Sequence, residues 1–161
     1  MRLRRLLPLL MCCVLAPALP AYAATEASCM EMVKGVKLGA TFGEMLFQSG
    51  TSTQTYVMLA NKVGSEKAES MFRQEMVPVV ARYQEEWNRN LARAWAKQLT
   101  DAECQSLGKL GGKSPHRQRF EASSQAAGEA MNTTSAPLLR RAASEVLYAA
   151  FARTMVAPPA R

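Results

Sequence analysis

Val79-Val80-Ala81-Arg82-Tyr83-Gln84-Glu85-Glu86-Trp87-Asn88-Arg89-Asn90-Leu91-Ala92-Arg93-Ala94-Trp95 decides the fold. Val80, Tyr83, Trp87, Leu91, Ala94 and Trp95 recur at three- and four-residue intervals, which lines one side of an α-helix with apolar groups. On the other side Glu85 and Arg89 stand at the four-residue offset where a carboxylate and a guanidinium meet. After residue 23 the chain has no alternating run of β-branched residues and no Asn-Gly or Asp-Gly turn, so strands are not expected. The expected fold is all-α: a single-domain bundle of about five to seven helices.

Working outward, Pro78 lacks an N–H and crowds the preceding turn. It predicts either a division between Glu66–Val77 and Val79–Leu99 or a kink in one long helix. Ser65 is a suitable N-cap for that segment. Upstream, a first helix is expected from about Ser28 to Phe47, with Gly35, Gly39 and Gly43 forming one bare stripe for a closely crossing neighbour. Gln48–Thr53 reads as a turn and Gln54–Lys62 as a short helix. Met45, Met58 and Met71 read as core fillers.

Downstream, Thr100-Asp101-Ala102-Glu103 is a capping box, the clearest local signal in the chain. Its helix should end near Leu107–Leu110, before Gly111-Gly112. Ser114-Pro115 supplies an N-cap and a first-turn proline for the next helix, whose apolar face is Phe120, Ala127 and Met131. Asn132–Ser135 reads as a polar break, with Pro137 opening a last helix along Leu139, Ala143, Val146, Leu147, Ala150 and Phe151. Pro158-Pro159 belongs to a short tail.

The N-terminus carries a different signal. Arg2, Arg4 and Arg5 precede an apolar run of about fourteen residues from Leu6 to Leu19, followed by Ala21-Tyr22-Ala23. This is the layout of a cleaved secretory signal peptide, residues 1–23, and the run is too short to span a membrane. Cys12 and Cys13 lie inside the run, so lipid attachment is not indicated. The expected mature chain is 24–161, with no transmembrane segment and a periplasmic or secreted location. Removing the three leader arginines lowers the formal charge from +7 to +4. Only Cys29 and Cys104 remain, and in an oxidising compartment they are expected to form a disulfide closing a loop of about 76 residues, worth roughly 4 kcal/mol in the chain-entropy model.

Catalytic and cofactor signals are thin. Gly111-Gly112-Lys113-Ser114 lacks the glycine that a phosphate loop needs at position 107, which is Leu. Cys29-Met30-Glu31-Met32 contains soft donors, but methionines are spread along the chain and Cys29 is assigned to the disulfide. His116 is the only histidine, which rules out a two-histidine zinc site. Glu85 and Glu86 are adjacent and diverge on a helix. No catalytic residue, metal site or cofactor is expected, nor a nucleic-acid partner. The segment from Lys109 onward holds eight basic and three acidic residues. Lys109, Lys113, Arg117 and Arg119 flank a helix start and are the candidate anion-binding residues.

Trp95–Cys104, with its Thr-x-x-Glu start, and Lys113–Arg119, with its Ser-Pro turn into a basic helix, resemble a bacterial family of exported helical proteins catalogued as domain of unknown function 2059. The resemblance runs from about Leu91 to Phe151. The chain departs from the family at Gly111-Gly112, where a Phe-Tyr pair is usual, and at Arg117, where glycine is usual. The resemblance implies an exported all-helical fold and no established activity. The leading expectation is a non-enzymatic protein whose basic C-terminal face or glycine-striped helix meets a protein partner in the envelope or outside the cell. The alternative is a binder of anionic ligands or envelope surfaces through its basic C-terminal third.

Overall fold

Thr100 accepts a hydrogen bond from the Glu103 amide, and the Glu103 carboxylate returns to the Thr100 N–H at 2.7 Å. This reciprocal cap starts one of six α-helices in the computed structural model, which describes residues 23–156. The helices are α1 (Glu26–Gly35), α2 (Phe42–Thr51), α3 (Gln54–Val63), α4 (Ser65–Ala96), α5 (Asp101–Leu110) and α6 (Arg117–Val156). Short 3-10 turns at Leu38–Thr41 and Gly111–Lys113 complete the order, and no strand occurs among the described residues. The fold is all-α, as expected. Residues 1–22, which carry most of the leader reading, and the Pro158-Pro159 tail lie outside the described residues.

α4 and α6 form the long antiparallel spine. Glu75 faces Arg153, Arg82 bonds Glu145 at 2.7 Å, Glu86 pairs with Arg141 at 3.0 Å and Asn90 donates to Ser135 at 3.1 Å. Phe42 and Leu46 of α2 close one core against this spine with Phe72, Trp87, Val146 and Leu147. α1 and α5 lie side by side in parallel over the C-terminal end of α4. There Met32, Val33, Trp95, Leu99 and Leu107 surround the Cys29–Cys104 disulfide, whose Cα atoms are 5.0 Å apart. Leu91 packs against both cores. The expected staple is therefore present, with both sulfurs sealed inside.

Several boundaries differ from the sequence reading. The first helix is two helices, because Lys37 adopts a left-handed conformation (φ 56°) that breaks the run. The three glycines consequently do not share one stripe. A Cβ on Gly35 would lie 2.3 Å from the Gly108 carbonyl oxygen and one on Gly39 would strike Asn88, whereas one on Gly43 would meet nothing. The close approach is thus between α1 and α5, where Gly108 in turn abuts Met32. Pro78 sits exposed within a continuous 32-residue α4 rather than dividing it. Gly64, not Ser65, is its N-cap residue.

α6 is likewise one 40-residue helix, with Pro137 inside it, rather than two. The hydroxyls of Thr133 and Thr134 donate to the carbonyls of Glu129 and Ala130 one turn back. Met131, Ser135, Leu138, Ala142 and Val146 continue a single buried stripe through the segment. Burial on that stripe overrides the local preference of these polar residues for a turn. The helix begins at Arg117, two residues after Pro115, because Ser114 ends the preceding 3-10 turn and its Oγ accepts the His116 N–H. Met58 is 57% exposed and so fills no core. Arg89 turns from Glu85 toward Glu26, which Arg93 also bonds at 2.8 Å.

The N-terminal edge is tied down. The Ala24 N–H donates to the Leu99 carbonyl at 2.9 Å, and the Thr25 N–H donates to Asp101 at 2.8 Å. Thr25 also caps α1 by accepting from the Ser28 N–H.

Candidate functional site

The four basic residues singled out by the sequence occupy different local settings. Arg119 donates to the Gln98 carbonyl at 3.1 Å, tying the start of α6 to the turn after α4. Arg117 turns along α6 and pairs with Glu121 at 2.7 Å, which holds its guanidinium above its ordinary pKa. Lys113 is exposed on the 3-10 turn before α6. Lys109 lines an open cleft of about 730 Å³ between α1 and α5, together with Lys34 and Glu31. Gly35 and Gly108 form part of that cleft, so their close contact draws the two lysine-bearing helices together.

A second concave region lies where α6 passes the segment from Val36 to Met45. It comprises two hollows that share Leu38. One, about 270 Å³, is bounded by Leu107, Phe120 and the Arg117–Glu121 pair. The other, about 250 Å³ and open to solvent, is walled by Trp87, Leu91, Trp95 and Met131, with exposed Thr41, Ser124 and Asn132 as polar groups. Trp95 stacks on Phe120 with ring centroids 4.2 Å apart, so these two rings join the lining of the two hollows. Sequence periodicity marked Trp87 and Trp95 as core residues, and both are buried. It gave no sign that they border a hollow, because the opposite wall comes from residues some 50 positions earlier in the chain.

The third surface is the outward side of the C-terminal half of α6. Tyr148 and Met155 are 79% and 77% exposed, and Ala152 between them is exposed as well. Their four- and three-residue spacing puts them on one stripe. The inward side of the same segment is buried through Ala142, Ala143, Val146, Leu147 and Ala150. Glu145 and Arg141 continue the outward stripe toward the N-terminus and reach α4 from there. Tyr83 donates its hydroxyl to Glu145, and that bond, with burial, raises the phenol above its ordinary pKa. The Arg141 guanidinium lies 5.0 Å from the Tyr83 ring centre while pairing with Glu86.

Among the described residues no group of three potential metal-ligating side chains converges, and no helix is long and apolar enough to cross a membrane. Compared with family models, with curated proteins and with solved structures, the chain matches none.

Proposed function

We propose that this chain is an exported, non-enzymatic helical protein that acts by binding a protein partner in the cell envelope or outside the cell. The observation that carries this reading is the Tyr148, Ala152 and Met155 stripe. It is an apolar strip left uncovered on a helix whose opposite side is buried through Ala142, Ala143, Val146, Leu147 and Ala150. Large aromatic and methionine side chains on a fixed helix are the groups that dominate protein interfaces. The buried disulfide supports assignment to an oxidising compartment. The capping box at Thr100 and Glu103 supports the resemblance to the exported helical family.

A photo-crosslinker placed at Ala152 in the exported protein should capture one reproducible partner, and Tyr148→Glu with Met155→Glu should abolish capture. Capture that is absent, or unchanged in the double variant, overturns the reading. Mass spectrometry of the native N-terminus should find Ala24 first, and retention of Met1 would remove the export assignment.

A second reading, binding of anionic ligands or surfaces, is favoured by Lys34 and Lys109 sharing one cleft. Lys109→Glu with Lys113→Glu should then eliminate salt-sensitive retention on vesicles containing an anionic phospholipid. Unchanged retention would sink it.

A further inference from the structure

We infer that Met155 is an oxidation-sensitive switch on the α6 stripe: a peroxide converts its thioether to a sulfoxide, and the sulfoxide blocks docking. This rests on the partner-binding reading above and adds the regulation of that surface. Eight methionines follow residue 23. Met32, Met71, Met76 and Met131 are buried, and Met30 and Met45 are half-buried. Among them only Met155 and Met58 are exposed, at 77% and 57%. Oxidation follows access to the sulfur, so these two react first in the folded chain. The Met131 sulfur is shielded further, because it accepts the Ser135 hydroxyl at 3.2 Å inside the core.

Position separates the two reactive sulfurs. Met155 ends the uncovered stripe that Tyr148 and Ala152 begin. The turn that carries it is fastened to α4, since Arg153 pairs with Glu75 and donates to Gln74 at 2.8 Å. Met58 belongs to α3 and not to the stripe. In the reaction a sulfur lone pair attacks one peroxide oxygen, forming the S–O bond as the O–O bond breaks. The departing hydroxide takes the proton of the transferred oxygen and leaves as water. Sulfur is thereby oxidised and the peroxide reduced. The product is a polar, chiral group on a surface that docking must dehydrate. The fold itself does not bury that group, so folding is untouched.

The test treats the intact mature protein, carrying the photo-crosslinker at Ala152, with hydrogen peroxide. Catalase removes the excess before capture is measured. Peptide mass spectrometry should find oxygen on Met155 and Met58 before the four buried methionines. Capture should fall about tenfold, the loss expected from burying one unsatisfied polar group, with the melting temperature unchanged. Treatment with methionine sulfoxide reductases for both epimers should restore it. Met155→Leu should give the same capture before and after peroxide, while Met58→Leu should lose capture as the native protein does. The inference is overturned if Met155 oxidises no faster than the buried methionines, or if Met155→Leu remains sensitive to peroxide. Capture that survives oxidation of Met155 overturns the switch alone and leaves the partner reading standing. Untreated protein that captures nothing overturns both.

Discussion

Gly35 and Gly108 meet because neither has a side chain. A methyl group at Gly35 would lie 2.3 Å from the Gly108 carbonyl oxygen, and one at Gly108 would lie 3.0 Å from the Met32 Cα. Both obstacles are backbone, so neither can swing aside. Gly35→Ala and Gly108→Ala should each destabilise the protein by roughly 1–3 kcal/mol through overpacking, read as a lower denaturant midpoint with an unchanged slope. Gly128→Ala, facing open space, should instead gain about 0.5–1 kcal/mol. Asp101 supplies a pH signature at the same scale. The Thr25 backbone N–H, and then the Ser28 and Thr25 hydroxyls, hold its carboxyl below the ordinary aspartate value of 3.8. Its folded-state pKa is depressed, so its contribution is complete above about pH 3.8 and is lost as the pH falls through that lower folded value. Melting temperatures of the native protein and Asp101→Ala should therefore differ at pH 6 and converge toward pH 2. A constant difference across that range would show that the carboxylate is not responsible.

At the scale of elements, the outcome depended on how local each signal was. The Thr100–Glu103 box needs only four consecutive residues, and it forms where the sequence places it. The Asn132–Ser135 segment has the composition of a loop, yet it is helical because Ser135 finds Asn90 across the spine and Met131 and Leu138 bury on either side. That outcome depends on a partner 45 residues away, which local composition does not encode. Pro137 was a misleading marker for the same reason. It costs α6 the bond to the Thr133 carbonyl, but it faces solvent and the flanking stripe holds the helix together. Pro137→Ala restores that donor and should raise unfolding stability by about 1–3 kcal/mol. A loss of stability would indicate that the proline ring itself is packed.

For the whole molecule, the disulfide was legible because only Cys29 and Cys104 follow the expected leader, which leaves one pairing, and that pairing ties α1 to α5. The hollow beside Trp87 was not legible, since it arises only when Thr41, Trp87 and Asn132 are brought together from three separate stretches. Cys29→Ser or Cys104→Ser should cost about 2–4 kcal/mol, as expected for a crosslink closing a long loop. Both cysteines are fully buried in the folded chain, so reduction by dithiothreitol should wait for α1 to lift away from α5. The reduction rate should then rise with denaturant in step with unfolding. Rapid reduction in native buffer would contradict that order of events.

The bond from Ala24 to the Leu99 carbonyl has a bearing on the proposed removal of residues 1–23. A chain trimmed between Ala23 and Ala24 begins with a positively charged amine at the very atom already seated on that oxygen, one residue from the Thr25–Asp101 contact. Processing would then leave a fastened first residue instead of a loose stub. Acetylating that amine should lower the melting temperature slightly, by an amount that shrinks in high salt.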